Sequence, residues 1–311
     1  EIESDEEINY EPGDALGVFP KNKEAEIQAI ATYFGEENYS ILADKNVRGL
    51  SKKSLEAFSK LFEVEIIEEK ANLLDIIQKY EPKKVKLDEI VALLLPISPR
   101  LYSISSSSEA HDGQVHLTVS LNKFKVNDEI KSGLASEFLA DFPLDEQLEF
   151  YIHKNQNFRL PSEETDIIMI GPGTGIAPFR SFLAERDVTG AEGKNWLFFG
   201  EQHFVLDFYY QTEIQEWLTT GVLTKLDTAF SRDQERKIYV QDRIREKAKE
   251  FNAWLENGAS IYICGQKNPM SQDVEKAIVA VISKERNISE SEAQQILEEL
   301  ENQGKYQKDV Y

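Results

Sequence analysis

The chain has 311 residues, 41% of them hydrophobic, with a formal net charge of -21, enough for two domains with packed cores. That negative charge argues against nucleic-acid backbones and anionic membranes as ligands, and the single cysteine, Cys264, can form neither an internal disulfide nor a zinc cluster. With no apolar run near the roughly 20 residues a spanning helix needs, and no signal peptide at the start, a reduced cytoplasmic protein is expected.

The first residues already read as the middle of a domain, with a turn at Glu11–Asp14 between strand-like segments, so a piece cut from a longer protein is expected. From about residue 22 to 95 the pattern is helical. Ile27, Ile30, Ala31 and Phe34 recur at helix spacing, as do Leu55, Phe58, Leu61 and Phe62, then Leu73, Ile76, Ile77 and Tyr80. Leu87–Leu95 reads as a further short helix, stopped by Pro96. After Pro99 the pattern turns to short strands: Arg100–Ile104, an alternating Val115–Leu121 predicted as a half-buried antiparallel strand, and Leu148–His153. A short helix, Glu137–Ala140, lies between the last two. These strands predict a small barrel into which the helical block is inserted.

Beyond Pro161 strand and helix alternate. Strands are predicted at Ile167–Ile170, Trp196–Gly200, Leu223–Phe230 and Ser260–Cys264. Helices are predicted at Pro178–Arg186, Phe208–Leu218, Val240–Leu255 and Gln272–Lys284. Ser289 and Glu292 have capping-box spacing for a last helix ended by Gly304, and Lys305–Tyr311 forms a tail. This alternation predicts a doubly wound parallel sheet whose ligands sit at the carboxyl ends of its strands.

The apolar run Ile167–Ile170 leads into Gly171, Pro172, Gly173, Thr174 and Gly175, and Pro178 follows where a first helical turn tolerates proline. Strand, glycine turn and helix start can present backbone N–H groups to a phosphate. The spacing departs from G-x-G-x-x-G, because Ile176 stands at the third glycine. Ser231, Arg232, Lys237 and Tyr239 gather two cations, a hydroxyl and a phenol in nine residues, which would suit a phosphate monoester; a solvated loop is the plainer alternative. Cys264 at a strand end reads equally as a small buried hydrophobe, and Asp273 as a carboxylate favouring a helix N-terminus. His111, His116, His153 and His203 show no metal-ligand spacing.

In order, Arg100-Leu101-Tyr102-Ser103, Gly171–Pro178, Ser231-Arg232, Lys237–Gln241, Cys264-Gly265 and Asp309-Val310-Tyr311 resemble the motifs of the ferredoxin-NADP reductase superfamily. The helical block narrows the resemblance to the diflavin reductases. Lys194–Gly200, Ser231-Arg232-Asp233-Gln234 with Tyr239-Val240-Gln241, and the ending Lys308–Tyr311 look like the flavoprotein family of NADPH-sulfite reductases.

The resemblance implies an antiparallel FAD-binding barrel over residues 1–161, with a helical connecting insertion, and a doubly wound NADP-binding domain over 162–311. It implies that Arg100 and Leu101 contact FAD, that Tyr102 stacks on the isoalloxazine, and that Ser103 bonds near its N5. Thr118, Val119, Ser120 and Phe124 would line the flavin, and Gly133, Leu134, Ala135 and Ser136 would cradle its pyrophosphate. Ser231, Arg232, Lys237, Ile238, Tyr239, Val240 and Gln241, with Asp273, would grip the 2'-phosphate and adenosine of NADPH. Gly171, Gly173, Thr174 and Cys264 would lie along the nicotinamide end. Ser103, Cys264, Asp309 and Tyr311 would form the catalytic set, with Tyr311 covering the flavin. Ser120 and Leu134 replace glycines of the enterobacterial-like pattern, and Phe124 replaces a tyrosine.

The implied reaction passes a hydride from NADPH to FAD. Single electrons then go to FMN, in a flavodoxin-like domain absent from this chain, and to a hemoprotein (beta) subunit that reduces sulfite to sulfide. A reductase module of another diflavin enzyme, or a non-catalytic docking scaffold, are the alternatives.

Overall fold

A computed structural model describes residues 1–69, 71–126 and 129–311. The chain divides into two compact units: Gly17–Leu101 with Val119–Tyr151, and Glu1–Leu16 with Tyr102–Thr118 and Ile152–Tyr311.

Its elements, in chain order, begin with β1 (Ala15–Val18), α1 (Glu24–Tyr33), α2 (Lys52–Phe62), α3 (Leu73–Tyr80) and α4 (Leu87–Leu93). The four helices are the expected helical block. Their 3.6-residue apolar stripes meet in one core that includes Ile30, Phe58, Ile76, Ile77 and Ile90, all buried. Next come β2 (Arg100–Ser103), the antiparallel hairpin β3 (Lys123–Val126) and β4 (Glu129–Ser132), α5 (Leu134–Ala140) and β5 (Phe150–His153). Strands β1, β2 and β5 bond in the order β2–β1–β5. Arg48 ties this helical unit together by donating to Glu26 at 2.6 Å and Glu137 at 2.7 Å.

The predicted strand Val115–Leu121 is not a ladder. Val115 makes a single antiparallel bridge to Ile2, and Leu117 one to Ile104. The alternation fails because His116 is buried beside Val115. Its ring accepts a 3.0 Å hydrogen bond from Arg180 through Nδ1 and is not left facing solvent.

The second half of the chain runs β6 (Ile167–Ile170), α6 (Ala177–Val188), β7 (Asn195–Glu201), α7 (Phe204–Asp207), α8 (Gln211–Thr220), β8 (Lys225–Phe230), α9 (Val240–Glu246), α10 (Ala248–Glu256), β9 (Ser260–Gly265), α11 (Gln272–Arg286), α12 (Glu290–Asn302) and β10 (Tyr306–Val310). Five parallel strands lie in the order β10–β9–β6–β7–β8. Helices cover both faces, as the continuous apolar run of β6 requires. Ile168 and Ile170 point into a core shared with α9 to α12, and Ile167 and Met169 into one shared with α6 and α8.

Several boundaries differ from expectation, and α5 begins three residues before the predicted Glu137. The helix predicted over Val240–Leu255 breaks at Lys247, whose φ of -98° and ψ of 17° are not helical. Helix α8 starts at Gln211 because Tyr210 takes a left-handed φ of 57°. The tail expected over Lys305–Tyr311 is the edge strand β10, paired with β9 from Tyr306 opposite Ile261 to Val310 opposite Gly265. Among the described residues no helix is long and apolar enough to cross a membrane.

Helix α12 opens on the predicted capping box. Ser289 Oγ accepts from the Glu292 N–H at 3.2 Å, and the Glu292 carboxylate accepts from the Ser289 N–H at 2.9 Å. Ser289→Ala is expected to remove about 1 kcal/mol of stability, read as a lower urea midpoint at an unchanged slope.

Candidate functional site

The turn after β6 is built from backbone. One 3-10 turn, Gly173–Ile176, leads into α6, with Pro178 in its first turn. A Cβ on Gly175 would lie 2.2 Å from the carbonyl oxygen of Cys264, so only glycine lets the turn rest on the end of β9. Gly173 takes a φ of 60°, and its open side faces Glu201, whose Oε1 would stand 3.4 Å from a Cβ there. Ile176, the residue that broke the fingerprint, is a core side chain packed with Phe179 and Phe182. The spacing differs because that position serves packing.

Around this turn, residues far apart in sequence meet. Ser103 Oγ donates to Asp309 Oδ2 at 2.7 Å, and Cys264 Sγ lies 3.9 Å from the same oxygen. The β9–β10 register sets Asp309 opposite Cys264. Burial pushes the Cys264 thiol well above its ordinary range, and the Asp309 charge adds to the push. The thiol therefore stays protonated. The Tyr311 and Thr174 hydroxyls share a 2.7 Å hydrogen bond. Backbone bonds fix Tyr311 in place: its N–H donates to Gly265 O at 3.1 Å, and Lys267 N–H donates to its carbonyl at 2.8 Å. Of the residues expected to be catalytic, Ser103, Cys264 and Asp309 converge on one carboxylate oxygen, while Tyr311 sits on Thr174.

A second loop leaves the end of β8. The Ser231 N–H donates to Glu201 O at 2.8 Å and the Arg232 N–H to Gln202 O at 2.9 Å, which stitches this loop to the end of β7. The Phe204 N–H and the His203 ring, at 2.8 and 2.9 Å, hold the Asp233 carboxyl below the usual range. Arg232, Arg236 and Lys237 are exposed, and among the described residues none of them makes an ion pair. Tyr239 is exposed before α9, Ile238 packs against the core, Val240 is buried and Gln241 half-buried. Asp273 lies in the first turn of α11, 3.7 Å from Lys276.

Thr118 shares a 2.6 Å hydrogen bond with the Tyr210 hydroxyl. Arg180, buried in α6, donates to both oxygens of Glu213 at 2.6 and 3.1 Å and to Ser105 O at 2.9 Å. Burial and the Arg180 charge hold His116 down at about 4, so its ring is neutral and can accept from Arg180. The sequence reading missed Arg180, Glu201 and Arg236. A charge inside the apolar run Pro178–Phe182 was the available signal for the first, and a third cation between Arg232 and Lys237 for the last.

In the helical unit, Arg100 is exposed and donates to Ser98 O at 3.1 Å. Leu101 and Phe124 are also exposed, Val119 is half-buried and Ser120 exposed. Gly133 caps α5, its N–H donating to Asn122 O at 2.8 Å, while Ser136 Oγ donates to Gly133 O at 3.0 Å. The N–H groups that open a helix have no intrahelical acceptor, so those of Leu134, Ala135 and Ser136 are available to an anion. Glu137, in the first turn of α5, is paired with Arg48 and with Lys23 at 3.0 Å. Capping glycine, first-turn amides and paired carboxylate fit a flavin pyrophosphate, and the three unpaired cations after β8 fit a phosphate monoester.

Residues 43–138 match the family model of the FAD binding domain, and residues 169–276 that of the oxidoreductase NAD-binding domain. The chain is 41% identical to the sulfite reductase [NADPH] flavoprotein alpha-component of Bacillus subtilis, over 98% of this chain and 56% of that protein. It is 42% identical to the protein of that name from Vibrio vulnificus, over 98% of this chain and 54% of the relative. For the one from Cronobacter sakazakii the values are 40%, 98% and 55%. The chain thus spans a little over half the length of these relatives. Over nearly its whole length the chain is similar to these flavoproteins, and it carries both an FAD-binding and an NAD-binding domain.

Proposed function

We propose that this chain is the FAD- and NADPH-binding reductase module of an assimilatory sulfite reductase flavoprotein, working in the cytoplasm. The observation that carries this reading is the convergence of Ser103 and Cys264 on Asp309 beside the glycine turn, in a chain that matches both cofactor-binding domains. When bound, NADPH supplies a hydride and FAD takes it up, releasing single electrons to a flavodoxin-like FMN domain of the full-length protein and on to a hemoprotein (beta) subunit that reduces sulfite.

The chain's own residues bind, orient and exclude water. In this reading the FAD-binding part ends near residue 161. Arg100 and the Gly133–Ser136 segment hold the FAD phosphates, Leu101 contacts the cofactor, Tyr102 stacks on the ring, and Thr118, Val119, Ser120 and Phe124 line it. Arg232 and Lys237 bind the 2'-phosphate with Ser231, while Ile238, Tyr239, Val240 and Gln241 seat the adenosine and Asp273 stands nearby. Gly171, Gly173 and Thr174 floor the nicotinamide half. Ser103 donates its hydroxyl hydrogen bond to Asp309, and the Cys264 thiol keeps its proton. Tyr311 covers the place the nicotinamide must reach.

The purified full-length protein is expected to be yellow and to bleach anaerobically on adding NADPH; a colourless, NADPH-inert protein would sink the reading. Electron transfer to purified sulfite reductase hemoprotein separates it from other diflavin modules. Arg232→Ala is expected to raise the NADPH Michaelis constant by about tenfold, because charge-assisted hydrogen bonds to the extra phosphate have no counterpart in NADH. NADH turnover should barely change, and equal losses with both cofactors would contradict the assignment. Cys264, buried and protonated, is expected to resist iodoacetamide in the folded protein and to react once urea unfolds it.

A further inference from the structure

The strand order β6–β7–β8 sets the end of β7 between two loops, the glycine turn after β6 and the cationic loop after β8. The residue at that end is Glu201. Its backbone carbonyl holds the Ser231 N–H at 2.8 Å, and its side chain faces Gly173. Ligands of doubly wound sheets lie across the carboxyl ends of the strands, so a dinucleotide joining the two loops must pass this carboxylate.

We propose that Glu201 is an electrostatic brake on dinucleotide binding: ionised, it repels the phosphates of NADPH, and their arrival favours its protonation from solvent. This rests on the NADPH reading above.

The groups facing Glu201 support that role. Its Oε2 accepts from the Gln202 N–H at 2.7 Å, and the Tyr209 hydroxyl stands 3.5 Å from Oε1. Asp207, from α7, adds a like charge, and Arg232, from the loop after β8, an opposite one. The glycine turn brings no charge. Burial raises the carboxyl above its ordinary range and Asp207 raises it further, while Arg232 pulls it back. A 2'-phosphate on Arg232 cancels that restraint, and a pyrophosphate near Gly173 adds negative charge. Both changes favour the protonated acid. Binding therefore weakens as pH rises through the Glu201 titration.

The test is calorimetric titration of NADP+ into the intact protein and its Glu201→Gln variant, at about pH 5.5 and about pH 8.5, in buffers of different ionisation enthalpy. The variant is expected to bind about fivefold tighter at the higher pH, with the gap closing at the lower one. Between these pH values the wild type should take up a fraction of a proton more than the variant on binding. The titration of the ligand's own phosphate is common to both proteins and cancels in the ratio. Glu201→Ala, which removes charge without supplying an amide, should also bind tighter at high pH. Equal affinities at both pH values, or weaker binding by both variants, would overturn the brake while leaving the NADPH reading intact. No binding of NADP+ by any of the proteins would overturn the reading and the brake together.

Discussion

The contact on which the site depends is backbone against backbone, Gly175 on the carbonyl of Cys264. It fixes the turn after β6 to the end of β9. The end of β9 in turn sets the register of β10, so Asp309 stands opposite Cys264. Two residues later, two main-chain hydrogen bonds hold Tyr311 where its hydroxyl meets Thr174. A chain of main-chain contacts thus places the four side chains. Any side chain at position 175 would separate the two strand ends and disperse the group.

Charge is sorted as strictly as geometry. In a chain of net charge -21, the cations of Arg232, Arg236 and Lys237 make no ion pair among the described residues, while Asp233 among them is occupied by a histidine and a backbone amide. Arg180 has the opposite fate. Buried, it is fully engaged by Glu213, Ser105 and His116, which is what an interior guanidinium needs to offset its lost hydration. The exposed cations remain free to bind an anion, and the buried one binds α6 to the segment that carries Ser103.

Most of this was legible in the sequence wherever one periodicity dominated. The four connecting helices, β6 to β9 and the capping box of α12 follow from apolar spacing and capping chemistry. The resemblance added the residues proposed as catalytic, which no spacing could join, because Ser103 and Asp309 are 206 positions apart. The misreadings have local causes. Val115–Leu121 alternates on paper, but the Arg180 contact buries His116 out of phase. Lys247 interrupts a helical stripe through its backbone angles alone. Glu201 passed unnoticed because its meaning comes from strand order, which adjacent residues do not encode.

Strand β10 escaped the sequence reading because Tyr-Gln-Lys-Asp-Val is too polar for a sheet interior. That polarity has a use. An open sheet ends in two strands whose outer N–H and C=O groups can template pairing with another molecule, and lysines there resist it, since pairing would bury their charge. Here Lys308 on β10 is held by Glu275 and Glu301, at 3.1 and 3.4 Å, and Lys225 on β8 by Glu250 over the Trp196 ring. The strand that delivers Asp309 to the site also guards the sheet against aggregation, so a substitution meant to tune the cofactor end at Lys308 would first appear as a loss of colloidal stability.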